Sequence, residues 1–366
     1  MPLVTLLVLL CLLPLTLSAS ELPSVDMLRD RATGFRRPRL LLCEPADPAA
    51  LRARLTAGPL RNRAVERLLQ TADAMCALPA IERVKKGKRM LGTSRLALRR
   101  ILVAALAHRL TGEERHLALA RREMLAAAGF RDWNPSHFLD VGEMCAALAI
   151  GYDWLHESLT PAERDRIAAA LIEKGLRAVP RRAWWLKTTS NWNQVCHGGL
   201  SLAAIAVWER EPELAARTLR RALERIPHSM ELYAPDGAYP EGPTYWRYGT
   251  VYNVLFLEAL RTAFGDTMGL SAHAGFMRSA DFYLHSAGTS GRFFNYGDTN
   301  VKKSWRPSPS MFWFARTLER PQLLARERDL LAAELDQPII AEDNDFRFFP
   351  LLLLWAPDLA AVPPPA

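Results

Sequence analysis

The chain has 366 residues, 49% of them hydrophobic and 23% charged, with a formal net charge of +8. That balance excludes a disordered or low-complexity chain and allows a sizeable core in one or two domains. Lys and Arg are spread along the chain rather than massed in a nucleic-acid-binding block. The excess therefore suits either a solvated arginine-rich surface or the steering of a polyanionic ligand, and no nucleic-acid partner is expected.

Residues 1–20 contain no charged side chain. Leu3–Leu17 is apolar and broken by Pro14, and the small residues Ser18, Ala19 and Ser20 follow, the pattern of a secretory leader cleaved near Ala19 or Ser20. The run is short for a spanning helix and no other run is long and apolar enough. No stable membrane span is expected after cleavage, and the expected location is periplasmic or secreted. Cys11 falls in the leader. Cys43, Cys76, Cys145 and Cys196 follow no metal or redox spacing, so they read as buried free thiols, with one disulfide as the alternative.

Residues 21–46 read as an extended entry segment that includes the apolar run Pro38–Leu42. Asp47 then forms an N-cap with Pro48 at the first helical position. Apolar residues at spacings of three and four predict helices over Ala49–Leu55, Asn62–Leu78, Ser94–Leu110, Glu113–Ala128, Leu139–Leu155 and Pro161–Val179. Thr160 and Glu163 make a capping box for the last of these. Further helices are predicted over Trp192–Trp208, Pro212–Ile226, Pro243–Phe264, Ala272–Ser286, Ser308–Leu318 and Pro321–Leu335. Only Phe293–Tyr296 and Phe346–Leu354 read as extended. An all-α array of antiparallel hairpins over residues 47–355 is expected, either an open solenoid or a closed ring; the lack of a fixed-period repeat favours the ring. Residues 356–366 read as a Pro-rich tail, extended and mobile over Val362–Ala366.

Two segments concentrate chemistry. Tyr233–Tyr252 is a turn, Pro235-Asp236-Gly237, and a loop ending at Glu241-Gly242, followed by a helix opened by Pro243. Tyr245, Tyr248 and Tyr252 recur at spacings of three and four and share a helix face, with Trp246 and Arg247 beside them. Such a stripe serves either a core or a proton-transfer site at a cleft mouth. In Thr188–Glu209, Asn191, Asn193, Gln194 and His197 crowd the first turns of a helix that becomes apolar from Leu200. Ser190 and Asn191 both suit an N-cap, and the same amides and imidazole could hold a carboxylate at the helix N-terminus. Gly198-Gly199 implies close approach of another backbone or a ligand. A third polar turn, Asn295–Asn300, carries Asp298 as a loop organiser or a rim contact. Trp133, Trp184, Trp185, Trp192, Trp246 and Trp305 lie near predicted loops or helix starts, where they serve as wedges or as faces for sugar rings. No zinc-type His or Cys spacing, nucleophile elbow or phosphate loop is present, so no metal or cofactor is expected.

The stretches Asn191–Gly199 and Asp236–Tyr248, and more weakly Phe294–Asp298, resemble the heparinase II/III-like superfamily of polysaccharide lyases, together with the related alginate lyases and dermatan sulfate epimerase. The resemblance runs from about Arg37 to Trp355. It implies an (α/α) toroid, here incomplete, followed by an antiparallel β-sandwich for which the chain has no counterpart before Ala366; a separate β-sandwich partner is one expectation. It also implies β-elimination on an acidic, uronate-containing polysaccharide, that is, a carbon–oxygen lyase. In that reading Asn191 neutralises the uronate carboxylate with Asn193 and His197 nearby, and Tyr248 is base, acid or both, with Tyr245 as the competing register. Trp192, Asn193, His197, Glu241, Trp246, Arg247 and Asp298 would contact substrate, and Arg247 would lower the Tyr248 pKa. Trp192 stands where some relatives have His. Two other functions stay open: a non-catalytic carbohydrate-binding module, and a glycoside hydrolase using two of Asp153, Asp236, Glu241 and Asp298.

Overall fold

The computed structural model describes residues 22–42, 47–288, 290–299 and 306–362. The predicted leader, Cys43 and Trp305 lie outside them. The first helices in chain order are α1 (Val25–Arg31), α2 (Pro48–Leu55), α3 (Pro59–Cys76), α4 (Leu91–Thr111), α5 (Glu114–Gly129), α6 (Leu139–Trp154) and α7 (Pro161–Ala170), the last running on into a π-helical turn at Leu171–Leu176. Then follow α8 (Asn191–Ala206), α9 (Pro212–Arg225), α10 (Pro227–Met230), α11 (Pro243–Phe264), α12 (Ala274–His285), α13 (Pro309–Thr317), α14 (Ala325–Leu335) and α15 (Phe349–Trp355). No strand occurs among the described residues, only isolated bridges at Lys86–Arg89 and Ala287–Phe293.

Local signals account for several starts. Asp47 caps α2 by accepting from the Ala49 N–H, and the Thr160–Glu163 capping box is formed in both directions. Seven helices longer than a single turn open with Pro in the first two positions, where a missing N–H costs nothing.

The helices form two concentric layers. The inner layer is α4, α6, α8, α11, α13 and α15, each packed on the next, and α15 returns to α4. Outside them lie α3 and α5 against α4, α9 against α8 and α12 against α13, while α14 sits on α3. The all-α toroid of antiparallel hairpins expected from the sequence is the fold found. Every residue of α6 is buried, as expected for a helix with neighbours on all sides. The tightest seam is between α6 and α8. A side chain on Gly199 would meet the Gly142 carbonyl oxygen at 2.1 Å, and one on Gly198 would meet the Tyr252 carbonyl oxygen of α11 at 2.5 Å. The glycine pair thus serves backbone approach rather than a ligand.

Three segments differ from expectation. The entry segment contains α1, capped by Ser24, and its Leu28 and Leu40–Leu42 belong to the core. Phe346–Leu354 is not extended: Leu351–Leu354 are buried on all sides in the inner ring, so the run has no periodicity to separate helix from strand. Of the segment expected to be mobile, Val362 is buried and its carbonyl accepts from Arg328, while residues 363–366 lie outside the described residues. No helix among the described residues is long and apolar enough to cross a membrane.

Candidate active-site cleft

All six inner helices bring their N-terminal ends to one mouth of the ring, and a cleft of about 850 Å³ opens there. It is lined by Leu91 and Arg95 of α4, Leu139 of α6, Asn191 and Trp192 of α8, Tyr245, Arg247 and Tyr248 of α11, Pro309 of α13, and Phe348 just before α15. Six N-terminal ends make the mouth electropositive before any side chain is counted. Arg89 and Arg347 add to this, whereas Arg306 is paired with Asp343 and Glu334, and Asp298, Glu342 and Asp345 also line the cleft; Arg89 ends an exposed turn, Lys85–Arg89, that carries four cations.

The two segments singled out in the sequence meet here, because α8 and α11 pack side by side. Their junction is Glu241, and it fills the helix N-terminus with the protein's own carboxylate. Glu241 accepts from the Asn191 backbone N–H at 2.7 Å, from Asn191 Nδ2 at 2.8 Å and from the Tyr239 hydroxyl. Asn191 is the first residue of α8, and the N-cap Ser190 makes no side-chain cap. The seat expected for a substrate carboxylate at Asn191 is thus taken internally, and Glu241 organises the loop. Gly242 follows at φ +83°, and its missing side chain leaves room for Thr299 and the Tyr296 carbonyl. The Tyr296 hydroxyl bonds to the Tyr239 carbonyl and the Asp298 N–H to the Glu241 carbonyl, which sets Asp298 in the cleft wall.

Tyr248 lies between two arginines. The Arg95 guanidinium sits 4.8 Å from its ring centre and that of Arg347 5.7 Å. Both arginines are held by Glu143 of α6, which is fully buried: Arg95 Nε lies 2.8 Å from Oε1 and Arg347 Nε 3.0 Å from Oε2. Burial, and next the Glu143 charge, push the Tyr248 phenol well above its ordinary value, while Arg95 and Arg347 pull the other way. The cations that act on Tyr248 are therefore Arg95 and Arg347. Arg247, expected in that role, instead faces Glu327 and Tyr283 electrostatically. Tyr252 packs edge-on beneath Tyr248 at 6.0 Å, buried.

The fold has known counterparts. The chain superposes on alginate lyase A1-III from Sphingomonas species A1 with TM-score 0.53 and 13% identity, over 80% of this chain and 92% of that one. An alginate lyase from Bacteroides ovatus gives TM-score 0.53 and 13% identity, over 86% and 99%. No protein-family model matches the chain and no curated protein matches it in sequence. The fold is the α/α toroid of these alginate lyases. Both solved chains are matched over nearly their whole length by the toroid alone.

Within this toroid, three expected contacts lie away from the cleft. Asn193 is wholly buried and its Nδ2 donates to the carbonyls of Trp185, Leu186 and Arg225. His197 is buried against Trp185 with ring centres 5.3 Å apart; burial first, then the Arg221 charge, holds its pKa down at about 3, so it is neutral. Trp246 stacks on Tyr283 at 4.2 Å inside the core. Among the hydrolase carboxylates, Asp153 is buried at the opposite mouth, where it accepts from the Arg39 and Leu40 N–H groups, and Asp236 closes an exposed turn. Among the described residues no group of three or more His, Cys, Asp or Glu stands together as a metal site.

One functional candidate went unread in the sequence. His137, in the loop before α6, lines the cleft, and its Nδ1 lies 3.1 Å from Asp140 Oδ1. Asp140 is itself buried and fixed by the Met90 N–H at 2.7 Å and Asn134 Nδ2 at 2.5 Å. The buried carboxylate on Nδ1 orients the ring, and Nε2 is the nitrogen left as the candidate proton acceptor. The signal was the i, i+3 pair His137–Asp140 at a helix start.

Proposed function

We propose that the chain is a polysaccharide lyase that cleaves a uronate-containing polysaccharide by β-elimination, as the resemblance and the named alginate lyases suggest. The observation that carries this reading is one cleft holding both an oriented imidazole, His137, and a half-buried, arginine-flanked phenol, Tyr248, at the mouth where the inner helices begin. Elimination needs a base for the proton alpha to the carboxylate and an acid for the departing O4. In this reading His137 Nε2 takes the C5 proton, the C4–O4 bond breaks as the C4=C5 double bond forms, and Tyr248 gives its proton to O4. A phenol held protonated suits the second task better than the first. The enolate-like charge that develops on the carboxylate meets Arg95 and Arg89, which line the cleft before substrate arrives. The acidic substrate also agrees with the net charge of +8.

The test is to incubate the protein with polyuronates and with the same polymers after reduction of their carboxyl groups. Ultraviolet-absorbing unsaturated ends from the acidic polymers only are expected. Saturated reducing ends, or equal cleavage of the reduced polymer, would contradict the proposal.

A further inference from the structure

Trp184 is the only exposed tryptophan among the described residues, at 60% of its surface, and its display is built rather than incidental. It opens a 3-10 turn, Trp184–Leu186, whose next residue Trp185 is an anchor, 2% exposed and stacked on Phe138 at 4.8 Å. The turn's carbonyls are held from below by Asn193 Nδ2, 3.5 Å from Trp185 O and 3.3 Å from Leu186 O, and the His197 ring bonds the Leu186 backbone. The two polar residues that first looked like ligand contacts thus fix the turn that presents an indole to solvent.

That indole continues the cleft. Its ring centre is 4.8 Å from that of Trp192, which lines the cleft, and Trp192 in turn meets His137 edge-on at 4.8 Å. An aromatic strip therefore runs from the imidazole outward to the surface. Arg181, Arg182 and Lys187 are exposed on either side of Trp184, and no Asp or Glu occurs between Glu173 and Glu209. An exposed apolar face flanked by cations and joined to a polar cleft suits one occupant: the pyranose rings of an acidic polysaccharide, whose C–H faces stack on indole while its carboxylates meet the cations.

We propose that Trp184 and Trp192 form a stacking subsite that holds an acidic polysaccharide chain where it leaves the cleft. This rests on the reading of the cleft as a polyuronate site, but not on its being catalytic. The experiment uses the full chain and a size series of oligouronides prepared from alginate. It reads both tryptophan fluorescence on titration and the rate of unsaturated product. For the parent, long oligomers should shift the fluorescence. In Trp184→Ala that shift should shrink to the part contributed by Trp192 and KM for long oligomers should rise about tenfold, with kcat and the KM of oligomers short enough to stay within the cleft unchanged. Trp184→Phe should recover most of the affinity. Binding with a Trp184-dependent shift but no elimination would sustain the subsite while removing the proposed lyase. Unchanged KM and fluorescence response in Trp184→Ala, with elimination intact, would remove the subsite and leave the lyase. No binding by the parent would overturn both.

Discussion

Glu241 joins the two halves of the candidate site, so its removal is the most informative perturbation of the architecture. Glu241→Ala deletes the acceptor for the Asn191 backbone N–H, for Asn191 Nδ2 and for the Tyr239 hydroxyl, and it leaves the N-terminus of α8 without a counter-charge. Hydrogen bonds to a charged group contribute about 1.5–3 kcal/mol each and an anion at a helix N-terminus about 0.3–1 kcal/mol. These terms share one carboxylate and are not additive, and water can reach a half-buried site, so roughly 3–5 kcal/mol is expected rather than the sum. Glu241→Gln keeps the shape. Its carboxamide must turn an N–H toward one of the donors, but Asn191 Oδ1 makes no hydrogen bond, and the Asn191 amide can rotate to accept. The loss then reduces to the charge, about 1–2 kcal/mol. Thermal unfolding should rank parent above Gln above Ala, with Ala lower by roughly 6–10 °C. KM for an acidic oligosaccharide should rise in the same order. An Ala variant melting within about 1 °C of the parent, or a Gln variant less stable than Ala, would refute the assignment of Glu241 as the junction.

Two further outcomes test the packing beneath the cleft. Gly199→Ala gains about 1 kcal/mol of helix propensity but drives a methyl group into the Gly142 carbonyl at 2.1 Å. Overpacking against backbone costs about 1–3 kcal/mol or more, so a net fall in melting temperature is expected, and an equal or higher value would show that α6 and α8 can separate freely. Glu327, buried beside the Ser308 N–H, has its pKa raised to about 7 from 4.5, by burial above all. Because the folded state favours the protonated form, its contribution is complete below the unfolded value near 4.5 and is lost as pH rises through about 7. At about 1.4 kcal/mol per unit that is up to about 3 kcal/mol between pH 5 and 8. Glu327→Gln should flatten this decline, seen as melting temperature against pH; an unchanged slope would contradict the assignment.

Much of the fold was legible because its signals are local. The helix Pro243–Phe264 follows from a Pro start and an uninterrupted pattern, and the Thr160 capping box needs only four residues. α15 was not legible, since four consecutive leucines buried on every side carry no period. At the site, Asn191 and Tyr248 could be paired through a resemblance, and they do line one cleft. The groups that set the state of Tyr248 could not. Glu143 and Arg347 are 204 residues apart, and nothing local marks them as partners. Asn193 and His197 were misplaced for a different reason: polar residues in the first turns of a helix look the same whether they face a ligand or, as here, the carbonyls of their own chain. The cationic turn Lys85–Arg89 and the His137–Asp140 pair were also readable in the sequence, and Arg89 and His137 line the cleft beside Asn191 and Tyr248.

The account's central claim is that Tyr248 transfers a proton in an elimination reaction, and Tyr248→Phe isolates that proton. The hydroxyl is buried and meets Arg95, which Glu143 already holds, so its loss should change the melting temperature little. The initial rate of unsaturated-product formation from a polyuronate, followed in the ultraviolet for parent and Tyr248→Phe side by side, should fall by about 10²–10⁴-fold. A Tyr248→Phe protein that melts like the parent and still produces unsaturated ends at the parental rate would contradict it.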